Sequence, residues 1–426
     1  MSSAITSSGA AGDGTRSQPL LDPVGVGAIL VGFAILAIGV RALGSGHPYD
    51  FGFYYRGAAA AWEHGDPTVV DGWLGTPFMA AVLAPLTAHF TMGQLAVALS
   101  FVNLALLIIG CLLVTRALTP ACGRGAAFAI AASVTVLFAP AVSTVWWRQF
   151  NVIVVALAVA GFLRLRRGHA TSACLLIGVS VALKPLVVLV PIALLLRRET
   201  RRVGLASLIL IAALTVGAQA VLVTRGAPVA SLSPARIVRD STERMSDPAG
   251  SHACHPANLS PGAFLCRTVG TDHWNVQRAV ALVIAIVVAA ALLVAVRRYP
   301  ARSFEYFAVA AGASVLFGPI EWTHYQVALV PLIAVTTLHL WRRPRMVPLV
   351  ALVLAVLTLG LVWSPSMVVA DFAARVAGGS SLDASFVLMR VTAYAQLALF
   401  AIAAFVLRAD EPRTETPPLR TVEQAR

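Results

Sequence analysis

Composition, the length of the apolar runs and the placement of the arginines predict an all-α, polytopic integral membrane protein. Of the 426 residues, 58% are hydrophobic and only 12% charged, whereas about a quarter of the residues in soluble domains are charged. Mean hydropathy is +0.81. Residues 25–43, 94–115 and 278–296 are apolar runs that approach or exceed the ~20 residues needed to cross a ~30 Å hydrocarbon core as a helix. The net charge of +13 is gathered into short clusters between such runs: Arg164, Arg166 and Arg167; Arg197, Arg198, Arg201 and Arg202; Arg297 and Arg298; Arg342, Arg343 and Arg345. Clusters of this kind mark cytoplasmic loops, so the basic balance reports membrane topology and not a nucleic-acid partner.

The elements follow in order. Residues 1–23 have no apolar core and read as a disordered cytoplasmic tail, not a signal peptide. Residues 24–407 form one transmembrane domain, and 408–426, with Pro412, Pro417 and Pro418 among charges, form a second disordered cytoplasmic tail. Helices are predicted at 25–43, 94–118, 125–141, 150–165, 203–223, 278–296, 304–318, 325–341, 347–363 and 389–407. Between the arginine clusters at 164–167 and 197–202, residues 170–196 supply only about 40 Å of helix at ~1.5 Å per residue. That is too little for two full spans. Two short helices with a reversal at Lys184-Pro185 solve the problem, because proline disfavours helical geometry in the residue before it. About 10–12 transmembrane segments result, with both termini cytoplasmic. Residues 44–93, 142–149, 224–277, 319–324 and 364–388 then lie outside, and segments 52–64 and 77–90, too short to span, read as interfacial helices in the first outside loop.

Lys184 is the only lysine beside 31 arginines. Ionisable residues within membrane hairpins cost about 2.5–3.5 kcal/mol each on insertion scales and commonly mark a site. The topology gathers further polar residues on the same outside face: Asp50 with Tyr54, Tyr55 and Arg56; Arg148, Gln149 and Asn151 of "STVWWRQFN"; and Glu321, His324 and Tyr325 of "GPIEWTHYQ". Asp50 alone reads equally as a solvated loop residue or a helix N-cap, and Arg148 as a side chain reaching for lipid headgroups. Together, Lys184, Arg148 and Arg56 suit a phosphate or diphosphate at headgroup depth. Asp50, Glu321 and His324 supply candidate general bases or acids. The combination points to chemistry on a phosphorylated lipid. No P-loop, dinucleotide fingerprint, HExxH or zinc spacing is present, so no metal or other cofactor is expected. Cys111, Cys122 and Cys174 read as small apolar residues; Cys254 and Cys266, in an outside loop, are a candidate disulfide pair.

At "DFGFYYRGAAAAWEHGDP", "TPFMAAVLAPL", "RQFNVIVVALAVAGFL", "GVSVALKPLVVLVPIALLLRR" and "GPIEWTHYQVALVPL", the chain resembles glycosyltransferase family 87 over residues 45–340. The resemblance implies a GT-C fold and a polyprenyl-phosphate-sugar donor, with mannosyl- and arabinofuranosyltransferases as the activities. It implies Asp50 as the base that deprotonates an acceptor hydroxyl for inverting displacement, and Lys184 with Arg148 as the groups that stabilise the leaving phosphate. The expected enzyme sits in the plasma membrane and extends an envelope glycan or glycolipid on the extracytoplasmic face, with mannose favoured as the sugar. The chain departs from the family at Gly75-Thr76-Pro77, where members often carry Tyr-Pro-Pro, and at Arg148-Gln149, where they often carry Gly-Gln. The alternative reading is a transporter or flippase that binds a lipid-linked or anionic substrate at broken helices around Lys184. The 224–277 loop shapes acceptor binding or acts as a lid.

Overall fold

The computed structural model describes Gly32 and residues 49–70, 73, 75–232, 258–269, 274–318, 323–360 and 381–409. The expected span at 25–43, Gly32 aside, lies outside the described residues, as do the tail at 1–23 and the second tail beyond Ala409. Every regular element among the described residues is a helix. The protein is an all-α membrane protein.

Helices α1 (Tyr49–His64) and α2 (Pro77–Thr87) stand where interfacial helices are expected. They pack on the ends of two longer helices, α3 (Met92–Cys122) and α9 (Arg201–Thr224), in a small core of their own that includes Phe51, Tyr54, Trp73, Met79, Leu99 and Leu222. Trp73 fits there because its ring lies against two glycines. A Cβ on Gly57 would stand 2.1 Å from Trp73 Cε3, and one on Gly75 would stand 2.4 Å from Cζ2. Thr91 and Gln94 start α3 with a reciprocal capping box.

The next elements are α4 (Arg124–Leu137), α5 (Ala139–Trp146) and α6 (Asn151–Arg166). The sequence predicts one helix at 125–141 and a loop at 142–149. Instead the helix breaks at Phe138, whose ψ is 94°, and resumes as α5. Pro140 explains the break: it lacks an N–H and its ring would clash with the carbonyl four residues earlier, so a new helix must begin just before it.

The reversal at Lys184-Pro185 is present. Helix α7 (Ala170–Leu183) ends at Lys184, which is extended at φ −156° and ψ 127°; a 3₁₀ turn (Pro185–Val187) then leads into α8 (Leu189–Leu196). The two arms are bent by 116°. Helix α9 returns beside both, and its backbone approaches α8 so closely that a Cβ on Gly204 would stand 2.4 Å from Leu195 N.

Residues 258–269 include α10 (Pro261–Val269), a helix within the expected outside loop, and α11 (Trp274–Val296) follows. The helix expected at 304–318 is α12 (Phe304–Ala313) plus a 3₁₀ turn (Ser314–Phe317). The one expected at 325–341 is a 3₁₀ segment (Thr323–Leu329) plus α13 (Val330–Arg342), which carries Pro331 in its first turn. The chain closes with α14 (Met346–Gly360) and α15 (Ser381–Ala409). Among the described residues, α3, α9 and Ala279–Val296 are individually long and apolar enough to span a membrane, and α7 passes that test together with Pro185–Leu196.

The arginines close one end of the bundle. Arg166 donates to Ala117 O of α3 at 3.0 Å, and Arg197 to Arg297 O just beyond α11 at 2.8 Å. Arg342 donates to Ala121 O, also on α3, and Arg298 to Leu407 O of α15. Helix C-termini leave carbonyls without intrahelical partners and carry partial negative charge. At Ala121, Arg297 and Leu407, guanidinium groups from neighbouring segments satisfy both needs, which explains why these clusters sit where helices end.

The packing of Trp73 generates a test. Gly57→Ala should destabilise the detergent-solubilised protein by about 1–3 kcal/mol through overpacking. Gly110→Ala on α3, where nothing lies within 4 Å of the added Cβ, should be neutral or stabilising by up to about 1 kcal/mol. Equal melting temperatures for the two variants would refute the packing argument.

Candidate active site

At the end opposite the arginines, four segments bring polar side chains together: the first turn of α1, the α5–α6 turn, the tip between α7 and α8, and the Thr323–Leu329 segment. Gln149 is central. Its Nε2 donates to Asp50 Oδ2 at 2.8 Å, while its Oε1 accepts from Tyr54 Oη at 2.9 Å and from Lys184 Nζ at 3.1 Å. Lys184 also donates to Tyr54 Oη at 3.2 Å and lies 4.0 Å from the centroid of the Tyr325 ring. Only 7% of Lys184 is exposed. Its ammonium therefore exchanges water for an amide oxygen, a phenol oxygen and an aromatic face. His324 Nε2 stands 3.9 Å from Asp50 Oδ2 and makes no hydrogen bond among the described residues.

Local structure imposes these positions. Asp50 and Tyr54 are four residues apart on α1 and share a face. Tyr54 is fixed by edge-on contacts with Trp73 (6.1 Å) and Phe150 (5.5 Å). The α5–α6 turn is a Schellman motif: Gln149 N bonds Thr144 O and Arg148 N bonds Val145 O, with Arg148 left-handed at φ 51°. A left-handed residue with a Cβ costs roughly 1–2 kcal/mol. A glycine at this position would avoid that cost. Arg148 is 4% exposed and its Nε donates to Ser100 Oγ at 3.2 Å.

Buried polar side chains hold the backbone around this cluster. Asn103 of α3 donates to Gln149 O at 2.8 Å, and Asn151 of α6 and Thr144 of α5 donate to His324 O at 2.9 and 3.2 Å. Thr76 caps α2 by accepting from Met79 N, and its hydroxyl reaches Ala182 O at 2.7 Å, which ties α2 to the end of α7 beside Lys184. Asn103, Ser100, Thr144 and Trp73 were not singled out in the sequence, and Thr76 was noted there only within the Gly75-Thr76-Pro77 departure. For Asn103 the available signal was an amide inside a 31-residue apolar helix.

Asp50, Tyr54, Gln149, Lys184, His324 and Tyr325 thus meet, and Asn151 supports them from behind. Arg56 does not join them: it is exposed on the far side of α1, over the Phe53 ring at 5.0 Å. Two residues beyond Tyr54, it is turned about 200° around the helix axis. Tyr55 also points away, donating to Phe90 O at 3.1 Å. Glu321 and Cys254 lie outside the described residues. Cys266 is disulfide-bonded, and Cys111, Cys122 and Cys174 are free.

Burial pushes the Asp50 carboxyl above its ordinary value, a rise opposed by the Gln149 hydrogen bond and the charge of Lys184. A half-buried carboxylate with one oxygen bonded to an amide, next to an ammonium one residue away, can take a proton from a bound hydroxyl and hold an anion close by.

A carboxylate–amide–ammonium cluster on an all-α membrane scaffold has the parts of a membrane-embedded transferase site. The family model for glycosyltransferase family 87 matches residues 73–319, more than half of the chain, and the protein belongs to that family. The chain is also 29% identical, over 366 residues covering 79% of it and 81% of the relative, to the polyprenol-phosphate-mannose-dependent alpha-(1-2)-phosphatidylinositol mannoside mannosyltransferase of Mycobacterium tuberculosis (strain ATCC 25618 / H37Rv). No solved structure matches it.

Two substitutions probe this geometry. Gln149→Leu removes the hydrogen bond that holds the Asp50 pKa down, so the acid limb of the pH–rate profile should move to higher pH while the maximal rate falls; an unmoved limb would contradict the bridge. Arg148→Gly preserves the left-handed turn, and with the guanidinium engaged at Ser100 it should retain activity within about tenfold, a change of about 1.4 kcal/mol. A hundredfold loss in steady-state assays would instead place Arg148 on the substrate.

Proposed function

We propose that the protein transfers a sugar, mannose favoured, from a polyprenyl-phosphate donor to a glycan or glycolipid acceptor on the extracytoplasmic face of the plasma membrane. The observation that carries this reading is the Gln149 amide with Asp50 on its nitrogen and Lys184 on its oxygen. Membership of a glycosyltransferase family favours transfer chemistry over transport. The donor rests on the named specificity of the mycobacterial relative. Orientation rests on the arginine-capped end facing the cytoplasm. The bonded Cys266, on α10 at the opposite end, suits an oxidising compartment.

In this mechanism the Asp50 carboxylate removes the proton from an acceptor hydroxyl, whose oxygen attacks the anomeric carbon of the donor. The bond from that carbon to the phosphate oxygen breaks with inversion, and polyprenyl phosphate leaves. Lys184 stabilises the charge that grows on the departing phosphate. Two of its three N–H groups are already held by Gln149 and Tyr54, so the ammonium is oriented before substrate arrives. His324 Nε2, close to Asp50 and without a hydrogen bond among the described residues, is a further contact for the phosphate or the acceptor. Asn151 serves by holding the His324 backbone.

The test is transfer of label from a radiolabelled polyprenyl-phosphate mannose to a mannan or phosphoinositide-mannoside acceptor by the purified protein. Asp50→Asn should lower the rate by about 10²–10⁴-fold and Lys184→Met by about 10²–10³-fold, each with an unchanged elution profile. In the wild type the base must be ionised, and burial raises its pKa. The rate should therefore fall on acidification with a midpoint above that of an ordinary carboxylate. Full activity in Asp50→Asn would remove the assignment of the base.

A further inference from the structure

The polar cluster leaves Arg56 unused. Other arginines at this end of the bundle are engaged: Arg148 donates to Ser100, and Arg225 to Trp62 O at 3.2 Å. Arg56 makes no hydrogen bond or ion pair among the described residues and lies over the Phe53 ring. It is exposed, yet its side chain folds back along α1. A Cβ on Gly52, one turn earlier, would stand 3.3 Å from Arg56 Nη1 and 3.8 Å from Met92 Sδ. The guanidinium therefore lies where α1 crosses the first residue of α3, and Tyr55 fastens that crossing by donating to Phe90 O just ahead of α3.

An apolar wall starts directly beyond this cation. Val97, Phe101, Ile108 and Leu112 of α3 are all exposed, as is Phe90 beside the crossing. Spacings of four, seven and four residues put the four α3 side chains in one stripe. At ~1.5 Å per residue the stripe runs for about 23 Å, longer than the ~15 Å that one leaflet of a hydrocarbon core offers. Ser100 and Asn103, which hold Arg148 and the Gln149 turn, are buried on the other side of the same helix. Helix α3 thus turns one face to the reaction site and the opposite face, with Arg56 at its head, to lipid.

We infer that Arg56 and the outward face of α3 bind an anionic phospholipid of the bilayer, with the headgroup phosphate on the guanidinium and an acyl chain along Val97, Phe101 and Ile108. Charge complementarity selects the ligand. A guanidinium whose N–H groups are unclaimed presents a planar fork that matches a phosphate, and the ring of Phe53 holds it in place without using those donors. A zwitterionic headgroup would bring its own ammonium toward the arginine, whereas an anionic one leaves its charge to be met by it. The site commits to a bilayer lipid and not to the reacting one, because its wall faces away from Gln149. It depends on α3 spanning the membrane and not on the transferase reading.

The experiment places the full chain in phosphatidylcholine nanodiscs with a trace of phospholipid that carries a diazirine in its acyl chain, either phosphatidylglycerol or phosphatidylcholine, and maps the photolabelled residues by mass spectrometry. The phosphatidylglycerol probe should label residues 97–112 about fivefold more than the phosphatidylcholine probe, the ratio expected of one arginine beside an anionic headgroup. Arg56→Gln should abolish that preference and Arg56→Lys should keep most of it, each with a wild-type elution profile, while the exposed face of α11 should show no preference in any variant. Equal labelling of α3 by the two probes in the wild type, or a preference indifferent to Arg56→Gln, would overturn the site. Displacement of the phosphatidylglycerol label by excess polyprenyl phosphate would give the face to the reacting lipid and overturn it as well. None of these results bears on Asp50 or Lys184, so the inference and the transferase reading fail separately.

Discussion

The side-chain amide of Gln149 spans the gap between Asp50 and Lys184, and its neighbours dictate which way it points. An ammonium and a phenol hydroxyl must face an oxygen, and a carboxylate must face an N–H, so only one orientation satisfies all three. That single constraint couples α1, the α5–α6 turn and the tip of the α7–α8 hairpin. Much of the surrounding architecture keeps the amide in place: the Schellman turn that sets the Gln149 backbone, the Asn103 side chain that holds its carbonyl, and the aromatic cage of Trp73 and Phe150 around Tyr54. Leaving a buried charge without its partner costs several kcal/mol, so each of these supports stabilises the fold as well as the site.

The same constraint explains why position 184 is lysine in a chain that otherwise uses arginine. A compact ammonium with three rotatable donors fits between an amide oxygen, a phenol oxygen and a ring face at a position only 7% exposed. A planar guanidinium with five donors in a fixed fork would leave several unsatisfied there. At the other end of the bundle the demand is reversed. Long side chains must reach across to carbonyls of neighbouring helices while keeping contact with water, and arginine does this well. The two ends of the molecule thus use two cations for different physical reasons.

The hairpin that carries Lys184 is a compromise between length and polarity. Its arms are too short to span, yet they place a charged tip at the depth where α1, α5 and the Thr323–Leu329 segment meet. Because α8 packs against α9 through Gly204 and bonds the turn after α12 through Ser314, the tip is braced on two sides. A braced ammonium loses little reorganisation energy when charge develops beside it, which is the condition under which electrostatic stabilisation is most effective.

Much of this was legible in the sequence. Apolar run lengths and arginine clusters determined the all-α class, most helix positions and the gathering of the polar residues at one end, because crossing a bilayer imposes length and charge rules on each segment separately. Lys184-Pro185 signalled its own reversal, since the effect of proline on the preceding residue is local. The sequence also singled out Asp50, Gln149, Lys184 and His324. It could not show that Asp50 and Lys184 share one amide, that Arg148 occupies a left-handed cap, or that Arg56 faces away. Nor could it place Asn103 and Thr76 as supports. Those outcomes depend on which helix faces meet, and the partners of Gln149 are 35, 95 and 99 residues distant along the chain. Only the packing of the whole bundle brings them within 3.1 Å of its amide.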